Sequence, residues 1–182
     1  MGLRTAGDVT VDVDRATAFA FVQDPERLAR CIPGCLDLRE LSAGRYEAVL
    51  TSKVALTMLR FKVVVEVVKI EPPHAIDATI TGDAVGLSGH VAATAGLQLA
   101  EQGERQTAIR YVADVGLTGR LGGIGQPVFR ATSAQLGRQF GANLKAALEG
   151  ERKPVAPAGL LARLRRLVAA LGRFLRRGWR VQ

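Results

Sequence analysis

The stretch Gly119–Leu148, GRLGGIGQPVFRATSAQLGRQFGANLKAAL, decides the fold. Its apolar residues Leu121, Ile124, Val128, Phe129, Leu136, Phe140, Leu144, Ala147 and Leu148 recur at steps of three and four, which predicts one long amphipathic helix. Gly119, Gly122, Gly123 and Gly125 follow a strand pattern and open that helix, as a dinucleotide-binding loop would. The G-x-G-x-x-G spacing fails, because Val128 stands where the third glycine belongs, and no parallel strand–helix–strand unit surrounds it. The glycines read instead as a close strand-to-helix turn with a deformable helix entrance.

Upstream of this helix the chain reads mostly as strand. Val9, Val11 and Val13 alternate with Asp8, Thr10 and Asp12, a half-buried strand pattern within Leu3–Val13. Asp14 is placed to cap a short helix with Ala18, Phe19 and Val22 on its apolar face, and Asp24-Pro25 opens a second one, Glu26–Cys31. Ile32-Pro33-Gly34 ends it, since the residue before proline leaves the helical region and glycine permits a sharp turn. Leu36–Leu41, Tyr46–Ser52, Leu59–Ile70, Ala75–Gly82, Ser88–Leu99 and Gln106–Leu117 then read as strands broken by Gly, Pro and charged turns. The expected fold is α+β: about seven antiparallel strands curved around a long C-terminal helix, with two short helices after the first strand. This is the helix-grip arrangement, which leaves a space between sheet and helix wherever side chains do not fill it. Residues 1–150 form the domain, 151–158 a Pro-containing linker and 159–182 a basic amphipathic tail.

The run Phe21–Cys35, FVQDPERLARCIPGC, resembles the G-subunit family of carbon monoxide dehydrogenase, within the START-like, Bet v 1-type superfamily. Tyr111-Val-Ala-Asp114-Val and Gly119-Arg-Leu-Gly match its pattern as well, and the resemblance covers about residues 3–148. It implies a non-catalytic accessory protein, encoded beside molybdenum hydroxylases, that links such a cytosolic enzyme to the cytoplasmic membrane and carries a hydrophobic small molecule, a quinone or lipid. No covalently bound cofactor is expected. Candidate residues for the gate and wall of the cavity are Ile32, Pro33, Met58, Phe61, Leu87, Ile124, Val128, Phe129, Leu136 and Phe140.

Charge divides the chain sharply. Residues 1–150 hold 16 Lys/Arg against 16 Asp/Glu, whereas 151–182 hold nine against the single acid Glu151, so the net +8 belongs to the tail. On a helical wheel the tail places Leu160, Leu164, Leu167, Val168, Leu171, Phe174 and Leu175 on one side, with Leu161 and Trp179 at the edge. Arg163, Arg165, Arg166, Arg173, Arg176, Arg177 and Arg180 take the other side. A helix of this kind suits an anionic membrane surface, where each Arg contributes about 1 kcal/mol. Folding back on the domain or docking in an acidic groove are the alternatives. Nucleic-acid binding is not expected, because it would leave the leucine stripe unused. No apolar run reaches the roughly 18 residues of a membrane span, and no leader pattern opens the chain. The expected location is therefore cytoplasmic, peripheral on the inner face of the membrane.

Catalytic and metal chemistry find little support. Cys31 and Cys35 stand four apart, but only His74 and His90 could complete a metal site, one beside a Pro-Pro turn and one amid Ser-Gly. Two small thiols framing a turn account for them better than a nucleophile does. A helix-grip enzyme of the cyclase or hydrolase kind, or a scaffold with a filled core, remain the competing classes.

Overall fold

The alternation read from the sequence becomes a seven-stranded antiparallel sheet in a computed structural model, which describes residues 2–54, 56–123 and 125–150. The elements run β1 (Gly2–Val11), α1 (Arg15–Gln23), α2 (Pro25–Cys31), β2 (Cys35–Ser42), β3 (Arg45–Val54), β4 (Thr57–Glu71), β5 (Ala75–Val85), β6 (His90–Gly103), β7 (Gln106–Leu117) and α3 (Gln126–Gly150). The strand order is β1-β7-β6-β5-β4-β3-β2, so the first strand closes against the last and the rest form a meander. The curved sheet wraps α3, which makes this a helix-grip fold. The linker and tail at 151–182 lie outside the described residues.

Local chemistry sets the two short helices. Asp14 caps α1: its Oδ1 accepts from the Thr17 amide at 2.9 Å and its Oδ2 from the Thr17 hydroxyl at 2.7 Å. Those bonds, the amide first, hold its carboxyl below the ordinary carboxylate range. Asp24 serves both helices. Its backbone N–H donates to Phe21 O at the end of α1, and its Oδ1 accepts from the Glu26 and Arg27 amides at 3.0 and 3.1 Å, with Pro25 in the first position of α2. The turn Ile32–Gly34 then docks on β3, where the Thr51 amide donates to Gly34 O at 2.8 Å. Gly34 has φ +77°, and a side chain there would strike the Thr51 carbonyl.

The largest core cluster fills one end of the grip, and Ala48, Val63, Leu117 and Leu121 are buried at the other. Val11, Val13, Ala18, Phe19, Phe21, Val22, Cys31, Ile76, Leu97, Leu99, Ile109, Leu144 and Leu148 are buried together where α1 and α2 plug the sheet. The last turns of α3 are pinned there by two polar bonds, Asn143 Nδ2 to Cys31 O at 3.1 Å and Lys145 Nζ to Thr10 O at 2.9 Å. Farther along, the Tyr111 ring of β7 lies between Gly7 of β1 and Gly141 of α3. A Cβ on Gly7 would overlap the ring, and one on Gly141 would come within 2.9 Å of Tyr111 Oη. Phe140 meets that ring edge-on, with centroids 5.3 Å apart at 85°.

The single long helix expected from Gly119 is in fact a 3-10 turn, Gly119–Gly123, followed by α3 from Gln126. Gly119 takes φ +64°, and the turn is held by Arg120 N donating to Ser88 O at 2.8 Å. Leu121 is completely buried against Gly89, so it belongs to the turn rather than to the helix face.

Gly141→Val should overpack the Tyr111 clamp and cost about 1–3 kcal/mol, or about 2–4 °C of Tm per kcal/mol for a domain of this size. Thermal denaturation followed by circular dichroism checks it, with Ala142→Val on the exposed side expected to change Tm by less than half as much. Asp14→Ala should cost about 1 kcal/mol through loss of the cap. Because the folded carboxyl titrates below the unfolded one, that stabilisation is present above the ordinary carboxylate range and is lost as pH falls through the folded value. Urea titrations at pH 7 and pH 3 should show the wild-type advantage shrinking on acidification.

Candidate ligand trough

Antiparallel register lines up the inward-facing side chains in rows across the sheet. Nearest the core, Ile76, Leu97, Tyr111 and Gly7 pair in one row, with Leu99, Ile109 and Val9 below. The next row toward the start of α3 is Val67, Ala78, Ala95, Ala113 and Thr5, followed by Val65, Ile80, Ala93, Val115 and Leu3, then Val63, Gly82, Val91 and Leu117. Large residues thus fill the lower rows, and small ones occupy the middle. Ile76, Leu97, Leu99 and Ile109 are buried, whereas Ala78, Ile80, Ala93, Ala95, Ala113 and Val115 are only half-buried although they face the helix. Methyl side chains are short, and this half-buried apolar row beside the first half of the helix is the candidate trough.

The trough is floored by the Tyr111–Phe140 pair. Burial, followed by the charge of Asp8, raises the Tyr111 phenol above its ordinary range, with Arg138 opposing, and the hydroxyl is neutral at physiological pH. Above this floor, the inward positions of β1 and β3–β7 carry four polar side chains, Thr5, Tyr46, Ser52 and Thr57, all hydroxyls. From α3 the described face contributes Phe129, Ser133, Leu136, Gly137 and Phe140, spaced three and four apart.

The sequence-assigned residues divide between the wall and the rim. Phe61, Phe129, Leu136 and Phe140 are half-buried, and Phe61 stands on the inward side of β4 opposite Leu50 and Ala84. Met58 takes the outward side of the same strand and is 64% exposed, because an odd separation from Phe61 puts the two on opposite faces. Val128 is exposed on the first turn of α3, Ile32 is exposed, and Pro33 is half-buried in the turn docked on Thr51. Leu87 is half-buried in the β5–β6 loop beside the 3-10 turn. Ile124 lies outside the described residues, as do the membrane-face candidates from Leu160 to Trp179. Thr5, Ser133, Tyr111 and the alanine row escaped the sequence reading. Alternation in β7 marks Thr107, Ile109, Tyr111, Ala113, Val115 and Leu117 as one face and would have found the last of these.

The end of the trough where α3 begins is rimmed by apolar side chains. Leu56 caps the β3–β4 hairpin and is 95% exposed, and Leu36 is more than half-exposed; Met58 and Val85, also more than half-exposed, stand on the outer face of the same end. Two shallow depressions, of about 310 and 470 Å³, lie mainly on the opposite, outer face of the sheet. They are lined by ion-paired surface residues, including Arg4 with Asp114 at 3.8 Å and Lys62 with Glu47 at 2.9 Å. Satisfied, exposed charges of this kind describe a solvated surface, whereas the inward rows of the sheet are mainly apolar. Both thiols are free, and burial raises them above the ordinary thiol range. Among the described residues, no group of three or more His, Cys, Asp or Glu is placed to hold a metal ion.

Comparison with solved structures places this architecture among known folds. A conserved protein from Geobacillus kaustophilus superposes with a TM-score of 0.73 at 22% identity, covering 81% of this chain and 96% of its own. The ZhuI aromatase/cyclase from Streptomyces sp. R1128 gives 0.65 at 12% identity over 86% and 99% of the two chains. A START superfamily protein from Mycobacterium smegmatis gives 0.62 at 10% identity over 81% and 97%. At these identities the likeness establishes the shared fold. No functionally curated protein matches the sequence. The family comparison is more specific, since residues 7–149 match the carbon monoxide dehydrogenase G subunit (CoxG) from just inside β1 almost to the end of α3, and the chain therefore belongs to that family.

Proposed function

We propose that this protein is a non-catalytic accessory protein that holds a lipophilic molecule in the trough and links a molybdenum hydroxylase of the CO dehydrogenase type to the cytoplasmic membrane. The observation that carries the reading is the apolar, half-buried inner row built on Ala78, Ala95 and Ala113. Apolar surface left beside a helix is stabilised by burying a ligand of like character, at about 25 cal/mol per Å² removed from water. A quinone or lipid has that character, and the family's name supports reading the enzyme partner as a CO dehydrogenase. Acid–base catalysis needs a titratable group aimed at the substrate, and hydroxyls on an apolar wall suit binding instead.

The mechanism is positional. The arginine-rich tail draws the module to an anionic leaflet on the cytoplasmic side, and the exposed Leu36 and Leu56 give the mouth an apolar surface through which a lipophilic molecule passes. Among the described residues no helix is long and apolar enough to cross a membrane.

Full-length protein purified from native membranes should carry a lipophilic mass in native mass spectrometry. Ala95→Phe, which fills the middle row, should lose that mass while keeping its circular dichroism spectrum; equal occupancy in both proteins, or no bound mass in either, overturns the carrier reading. Truncation after Gly150 should abolish co-sedimentation with anionic liposomes at low salt. Equal sedimentation of full-length and truncated protein would remove the membrane role from the tail.

A further inference from the structure

The β3–β4 hairpin reaches beyond the sheet that carries it. The outermost partner of β2 on β3 is Leu50, opposite Cys35, and the outermost partner of β5 on β4 is Arg60, opposite Val85. Past those points Ser52 pairs with Leu59, Lys53 with Met58 and Val54 with Thr57, and no other strand joins them. At about 3.3 Å per residue this two-stranded arm projects about 10 Å. Its large apolar side chains are not used to pack it: Leu56 at the tip is 95% exposed, and Met58 on the outer face is 64% exposed.

Charge is ordered along the same arm. Lys53 lies across from Met58, and Arg60 lies across from the exposed Val85, so cations and apolar side chains alternate behind the tip. Lys53 and Arg60 are exposed and make no ion pair among the described residues. No acidic residue occurs between Glu47 and Glu66, and the third cation of that run, Lys62, is held by Glu47 at 2.9 Å. We propose that this hairpin inserts into an anionic lipid surface, with Leu56 at the acyl boundary and Lys53 and Arg60 among the lipid phosphates. A bilayer presents charge and then hydrocarbon at successive depths, and interfacial insertion reaches about 5–10 Å, the length of the arm. Cations three and four residues behind the tip then stay at the headgroups, where each gains from the anionic charge. An acidic groove on a protein would pair the two cations but leave the apolar lead of Leu56 unused. The tail joins α3 at Gly150, where Leu144 and Leu148 pack into the core, remote from this arm. Tethering by the tail therefore leaves the direction of the mouth unset, and the hairpin turns it toward the bilayer. This inference rests on the membrane reading above.

Full-length protein is titrated at low salt with phosphatidylcholine vesicles, with and without phosphatidylglycerol. Leu56→Ser should weaken binding to the anionic vesicles about tenfold, and Lys53→Gln and Arg60→Gln about fivefold each, with circular dichroism unchanged in all three. Leu56→Phe should bind at least as tightly as wild type. Depth is read in a Trp179→Phe background, which removes the one tryptophan of the chain. There, Leu56→Trp should be quenched by bromine-labelled phosphatidylcholine, and Ala43→Trp, in the β2–β3 turn at the opposite end of β3, should not. Vesicle binding that none of the substitutions weakens, with the tip tryptophan unquenched, overturns the hairpin and leaves the tail as the anchor. Equal quenching at both positions overturns it as well, because the body then has no fixed direction. If Leu56→Ser instead loses affinity for the hydroxylase while binding vesicles like wild type, the tip is a protein contact and the inference falls. Failure of the wild type to bind either vesicle overturns the membrane reading and the hairpin together.

Discussion

One aromatic ring governs how closely helix and sheet approach. Tyr111 stands on the strand that pairs with β1, and its ring occupies the space that side chains on Gly7 and Gly141 would claim. Helix-grip folds must decide at each level whether the helix rests on the sheet or stands away from it. Here the decision changes within a few residues. Below the ring, Leu144 and Leu148 interlock with Ile109, Leu99 and the aromatic plug of α1. Above it, alanines replace the leucines on the sheet. The close approach at the glycines and the half-buried row beyond them follow from one arrangement, since a rigid ring holds the helix at a fixed height.

Much of this was legible in the sequence. Strand alternation located all seven strands, and Asp14 and Asp24-Pro25 marked the starts of both short helices, because capping chemistry is local and does not wait for tertiary context. The order of elements then left little choice of topology. The helix entrance was harder to read. Leu121 has the right spacing to join the helix face, yet the glycines around it let the backbone turn and send its side chain into Gly89. Hydrophobic periodicity records that a residue is buried, not which element buries it.

The site was less legible for a related reason. A search for apolar wall residues finds Phe61, Phe129, Leu136 and Phe140, whose bulk announces them. The residues that create the space are the small ones, and Ala95, Ala113, Gly137 and Gly141 carry almost no hydropathy signal. Ser133 is invisible to the same criterion because a polar residue on a helix is assigned by default to solvent. Only register, which puts Ala78, Ala95, Ala113 and Thr5 in one line, turns these scattered positions into a surface.

The two polar bonds that pin α3 both fall near its end, at Asn143 and Lys145. The helix is therefore two regimes of local stability joined in one rod. Opening the last turns requires breaking those bonds together with the buried leucines, whereas the turns around Phe129 are held mainly by apolar contact. Amide protons along α3 are therefore expected to exchange faster around Phe129 than around Leu144. Occupation of the trough adds contacts only to the weaker half, so it steepens cooperativity along the helix without adding to what already holds the core.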